Sequence, residues 1–177
     1  GVIPLIWQGK AQLAVTPARP GVVLASIANG DVGPYWTKLV RTNDGGESWL
    51  LVSTMDYARW QGWFAHDVAV GPSDGNLVIA AGIDIWKSTA GGPFLSQRSD
   101  WRLWYFGLTL PGEPEGPPDY SHADHHDIVF HPTDPDIIYF ANDGGIFRSL
   151  DGGETFEGCN GGLQTQQFYA GFSSHQL

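Results

Sequence analysis

The feature that most constrains the fold is a repeat. Three segments align on a proline: "QLAVTP" ends at Pro17, "HDVAVGP" at Pro72 and "HDIVFHP" at Pro132, spaced by 55 and 60 residues. An apolar run follows each, "GVVLASIA", "NLVIAAGI" and "DIIYFAN". A third run comes next, "YWTKLVRT", "DIWKST" or "GIFRSL", and then a glycine-rich turn. The runs alternate mostly with period two, and few helix start signals interrupt them. Each unit therefore predicts four short antiparallel strands, A to D. Four-stranded units at this period predict an all-β propeller, with blades at about 11–60, 61–110 and 122–165. The N-terminal "GVIPLIWQGK" reads as the last strand of a preceding blade, and "QQFYAGFSSHQ", within 166–177, as the first strand of a following one. Three blades fall short of the roughly four to eight that close a ring. The whole chain, 1–177, thus reads as a partial propeller whose open edges need further blades or another chain.

The glycine turn carries a motif. Thr42, Asp44, Gly46, Ser48 and Trp49 form one copy; Ser149, Asp151, Gly153, Thr155 and Phe156 form another. In the middle unit, "STAGGPF", Ala90 stands in place of the aspartate. The pattern resembles the Asp-box, Ser-x-Asp-x-Gly-x-Thr-Trp, and the chain resembles the Asp-box (BNR) repeat propellers over residues 11 to 175. Its closest flavour is that of the sortilin-like and xyloglucanase-like repeats of large secreted bacterial proteins. An aspartate opening a tight turn accepts backbone N–H bonds, glycine supplies a positive φ, and the aromatic packs back on the blade. Asp44 and Asp151 are expected to be scaffolding. The spacing lacks the alternating oxygen ligands of a calcium loop.

Composition narrows the function. The formal charge is −10, with 9 lysines and arginines, so the basic stripe that a nucleic-acid partner needs is missing. Cys159 is the only cysteine, which excludes an intrachain disulfide and a cysteine-based zinc cluster. No apolar run has the length of a membrane helix. The sequence opens at Gly1 without a methionine or a signal peptide and reads as an excised or processed piece of something longer. The resemblance implies a secreted or cell-surface bacterial protein. No cofactor is called for.

Chain direction places the D–A and B–C connections on one face of a propeller and the Asp-boxes on the other. Three features fall on the D–A/B–C face. "HADHHD" gathers His122, Asp124, His125, His126 and Asp127. Imidazole plus carboxylate suits a transition metal, with His122, Asp124 and His126 as candidate ligands. Alternation along a strand keeps all five from converging, and His66-Asp67 repeats the His126-Asp127 pair, which points instead to an imidazole bonded between blades. A ligand-contacting network of His122, Asp124, His126 and Asp127 with Asp143 is the other reading. "ANDGGIF" is the B–C turn of the same unit; Asn-Asp-Gly-Gly is first a hairpin turn. The resemblance adds a catalytic possibility, because xyloglucan-active hydrolases carry an aspartate in Thr-Asp-Ile-Gly-Gly-Ala-Tyr-Arg. Gly144, Gly145, Phe147 and Arg148 match its second half, which sets Asn142 opposite that aspartate and leaves Asp143 one position late. An inverting mechanism also needs a second carboxylate, and no second match to the family's pattern is visible. Aromatics are dense nearby: Trp60, Trp63 and Phe64, then Trp101, Trp104, Tyr105 and Phe106. Such rings stack on sugars, bind protein or pack between blades; Trp63 and Trp104 are the ligand candidates. The sialidase branch requires an arginine cluster, and no Phe-Arg-Ile-Pro element is present.

These readings give a binding scaffold for a glycan or protein ligand. The alternative is part of a glycoside hydrolase acting on a β-glucan or xyloglucan-like polysaccharide, with Asp143 as one carboxylate.

Overall fold

The structure is a computed structural model and describes residues 9–29, 37–105 and 113–163. Residues 1–8, Phe106 and the segment 166–177 discussed above lie outside these.

Three four-stranded antiparallel sheets follow one another along the chain. The first holds β1 (Lys10–Val15), β2 (Val23–Ala28), β3 (Thr37–Thr42) and β4 (Leu50–Ser53). The second holds β5 (Asp67–Val70), β6 (Val78–Ala81), β7 (Ile85–Ser88) and β8 (Ser96–Gln97). The third holds β9 (His125–Phe130), β10 (Ile138–Asn142), β11 (Gly145–Ser149) and β12 (Glu157–Gly158). Each is a simple meander in sequence order. Strand β5 lies against both β1 and β9, so the first strands share an axis and the sheets stand as three blades of a propeller. The only helical pieces among the described residues are two 3-10 turns, Arg59–Gln61 and Trp101–Leu103.

Period-two alternation explains the packing, because the middle blade is buried on both faces. Val68, Val70, Val78 and Ala80 join Ala14, Leu24 and Leu39 of the first blade. Their sequence neighbours Ala69, Ile79 and Ala81 turn the other way and join Ile128, Ile138 and Phe140 of the third. Small and branched side chains suit this two-sided sandwich. Polar latches accompany it: Asp67, buried on β5, accepts a hydrogen bond from the Ile128 backbone N–H of the next blade at 2.9 Å.

The glycine turns are alike in all three blades. Each holds two consecutive glycines at positive φ, Gly45–Gly46, Gly91–Gly92 and Gly152–Gly153. The first of each pair donates its N–H to a carbonyl of the same blade's A–B turn, at Gly21, Asn76 and Asp136. The boxes therefore sit with the A–B turns. Asp151 Oδ1 accepts the backbone N–H groups of Glu154 and Thr155 and the Ser149 hydroxyl, while Oδ2 accepts the Thr155 hydroxyl. Asp44 does the same with Thr42 and Ser48. Where Ala90 replaces the aspartate, Ser88 still accepts the Gly92 N–H but turns its own hydroxyl to the Pro93 carbonyl.

The structure corrects the aromatic of the box in two units. The middle turn has the same length, with Leu95 as far after Ser88 as Phe156 is after Ser149, so Leu95, 8% exposed, fills the slot that Phe156 fills at 6%, and Phe94, one residue earlier, projects to solvent. Trp49 occupies the matching position in the first blade yet is 41% exposed. The reason is positional. Leu95 and Phe156 join clusters formed with the preceding blade, whereas Trp49 lies on the face of the first blade turned away from the second. Leu13 shares that face and is 67% exposed, against 3% and 6% for its counterparts Val68 and Ile128.

Candidate binding site between the second and third blades

The site is built where the D–A connections and B–C turns meet. On the third blade, β10 and β11 are joined by Asp143-Gly144, a two-residue turn closed by the Asn142–Gly145 pair. Asn142 Oδ1 accepts the Gly144 N–H at 3.0 Å, which fixes the turn and projects Asp143 outward. Gly144 is required by close approach: a Cβ there would lie 2.5 Å from Cγ of His122. His122 thus packs its ring directly on the turn.

The β9–β10 pairing is irregular next to this turn. Ala141 pairs with Asp127 and Asn142 with His125, so His126 is the extra residue of a bulge. This changes the histidine assignment read from the repeat. His66, not exposed at all, is hydrogen-bonded to Ser26 Oγ and to the Lys10 carbonyl of the first blade. In the third blade the equally buried histidine is His125, bonded to Ser121 Oγ and to the Gly82 carbonyl of the second blade. Burial holds both imidazoles down at about 4; Lys10 adds to this at His66, and His122 and His126 add to it at His125. His125 is the inter-blade imidazole, and His126 is freed for the surface.

His126 Nε2 lies 2.8 Å from Asp143 Oδ1, and both side chains are partly exposed. Its ring meets the edge of Phe64 at 4.8 Å, and Phe64 is 5.4 Å from half-exposed Trp63. Trp63, Phe64, His126 and Asp143 therefore form one continuous strip, with two members from each side of the blade seam. Beside it Asp124 adopts a left-handed φ of 64° and accepts a hydrogen bond from Gln61 Nε2 at 3.2 Å. Burial raises the Asp124 carboxyl above its ordinary range and Asp143 pushes the same way, while His122, His126 and Gln61 pull it back.

Of the candidate residues, His122, Asp124, His126, Asp143 and Trp63 are brought to this seam. Asp127 is not. It points to the channel side, where it lines a groove of about 480 Å³ with Asp67 and Gln12. Trp104 stands on a separate element, closing the 3-10 turn Trp101–Leu103. The three candidate metal ligands have other partners: His122 Nδ1 is bonded to the Ala123 carbonyl, Asp124 to Gln61 and His126 to Asp143. No three histidine, cysteine or acidic side chains among the described residues form a group that could hold a metal ion. Gln61 is the residue that sequence reasoning missed. Its only signal is its place inside the aromatic stretch "RWQGWF".

No protein-family model and no curated protein matches the sequence. Solved structures do. The chain superposes on a GH74 xyloglucanase from Xanthomonas campestris with a TM-score of 0.60 at 17% identity, over 82% of this chain and 22% of that one. A GH74 enzyme from Niastella koreensis gives 0.53 at 20% identity, again over 82% and 22%. The chain spans about a fifth of the length of these enzymes, and at such identities the likeness is one of fold. No described helix is long and apolar enough to cross a membrane.

Proposed function

We propose that this chain supplies three blades, about 11–60, 61–110 and 122–165, to a larger propeller of a secreted or cell-surface protein, and that it binds a glycan at the seam of the second and third blades. The observation that supports this is the strip Trp63–Phe64–His126–Asp143. A sugar ring has an apolar C–H face and an equatorial belt of hydroxyls. A half-exposed indole offers stacking area, and a fixed carboxylate beside it accepts two hydroxyls. The His126 bond holds Asp143 in one orientation, so little ordering remains to be done on binding. The test is affinity electrophoresis in gels containing xyloglucan or mixed-linkage β-glucan. Retardation of the wild-type chain should be lost in Trp63→Ala and weakened in Asp143→Ala, with unchanged melting temperatures. Equal mobility of all three in every polysaccharide would remove the glycan and leave a protein ligand for this face.

A second reading is favoured by the pairing of Asp124 with Asp143. Hydrolysis of a glycosidic bond uses one protonated and one ionised carboxyl. Asp124 is raised by burial and by Asp143, and Asp143 accepts from His126. As part of a glycoside hydrolase, the chain would contribute Asp143 as one of the two carboxyl groups. Reducing-end release from xyloglucan by the full-length protein, abolished in Asp143→Ala, supports this reading; release unaffected by the substitution removes it.

A further inference from the structure

We infer that Asp124, held by Gln61, is the specificity-determining residue of this seam and rejects glycans that carry a carboxylate. The inference rests on the glycan reading above and adds what the site selects. Its first support is the way the residue is placed. Asp124 lies in the third blade's D–A turn at φ 64°, a conformation that L residues adopt sparingly and that aspartate tolerates better than most. The hydrogen bond that fixes its side chain comes from the other blade, from Gln61 in the 3-10 turn Arg59–Gln61 that leads to Trp63 and Phe64. One short stretch thus supplies the stacking rings and orients the carboxylate, so the two features keep a fixed relation to any bound sugar.

The second support is charge. Among the described residues, the titratable groups acting on Asp124 are Asp143, His122 and His126. His126 is already bonded to Asp143, and His122 to the Ala123 carbonyl. A uronic acid brought to the strip would meet two carboxylates, while the Arg59 guanidinium, in the turn that carries Gln61, is drawn over the Trp60 ring. Like charges in a partly desolvated site are a strong means of rejecting a partner. A neutral sugar meets the same two groups as hydroxyl acceptors. Gln61 acts through Asp124 and is a positioning residue.

The experiment compares two hexaoses of one backbone, β-1,4-glucan and β-1,4-glucuronan, by isothermal titration of the full chain at low salt. Wild type is expected to bind the neutral hexaose at least about tenfold more tightly. Asp124→Asn, which keeps the backbone conformation accessible and the Gln61 contact possible, should lower the ratio severalfold by gaining affinity for the glucuronan, with Asp143 leaving a residual preference. Gln61→Ala, which releases the Asp124 carboxylate, should lower the ratio partway towards that of Asp124→Asn, with a melting temperature near that of wild type. Equal wild-type affinity for the two hexaoses, or a ratio unmoved in Asp124→Asn, overturns the inference and leaves glycan binding standing. Failure of the wild type to bind either hexaose removes both.

Discussion

At Asp151 both carboxylate oxygens are taken up by the turn that carries it, through two backbone N–H groups and two hydroxyls. Burial acts to raise this carboxyl, but the Thr155, Ser149 and Glu154 hydrogen bonds outweigh it and bring it to about 2. Asp151→Ala should therefore cost about 1–2 kcal/mol, as losing a turn-capping carboxylate does. Thermal melts should show the drop while glycan retardation persists; lost retardation at an unchanged melting temperature would contradict it. The buried imidazoles set a pH dependence. His66 and His125 stand at about 4 against an ordinary 6.5, so the unfolded chain takes up protons in that window that the folded one refuses. Their contribution is complete above about 6.5 and is lost as pH falls towards 4. Asp67, pushed by burial from 3.8 to about 6, works in the opposite sense: its contribution is present at low pH and lost as pH rises through that range. Asp84 and Asp124, also raised by burial, act in the same sense as Asp67, so the imidazole contribution is read from the difference that His66→Asn makes. Denaturant midpoints should fall further from pH 7 to 4.5 in the wild type than in His66→Asn. Identical profiles in the two would mean that the imidazole is wet.

Strands and turns differ in how far they could be read ahead. Three prolines in register, period-two runs and paired glycines define the meander, because backbone demands of that kind leave marks on residue type. Asp44 and Asp151 are legible for the same reason. The β9 bulge is not. One extra residue leaves "HHD" looking like a copy of "HD", so pattern alone assigns His126 the place that His125 holds. The middle box misleads in a similar way, since Phe94 is the aromatic that catches the eye while Leu95, one residue on, fills the slot. Contacts between blades, such as Gln61 with Asp124, depend on which loops meet and have no local signature. The Asp67 latch belongs at this scale. Asp67→Ala should strand the Ile128 N–H and destabilise by about 1–3 kcal/mol. Asp67→Asn keeps an acceptor and should recover most of that loss. Urea unfolding of both variants checks this, and equal loss in the two would show that the carboxylate's charge, not its bond, is what matters.

On the scale of the whole chain, the first blade presents Leu13, Val15 and Trp49 on the face turned away from the second. The same positions in the other blades are buried or, at Phe130, partly buried against the core. Produced alone, the chain should bind a solvatochromic dye and associate with rising concentration, and Leu13→Lys with Val15→Thr should reduce both. Light scattering that reports a dye-silent monomer at all concentrations would show the face to be covered already. The seam has a different consequence. Trp63, Phe64 and Gln61 lie in the connection that leads into the second sheet, and Asp124, His126 and Asp143 belong to the third, so anything held by both halves acts as a clamp across them. Linkage then runs both ways: a ligand that staples the two sheets must slow their separation, and a contact elsewhere that loosens the sheets must weaken the ligand by the same factor. Affinity at this spot and the mechanical cohesion of the propeller are one quantity seen from two sides.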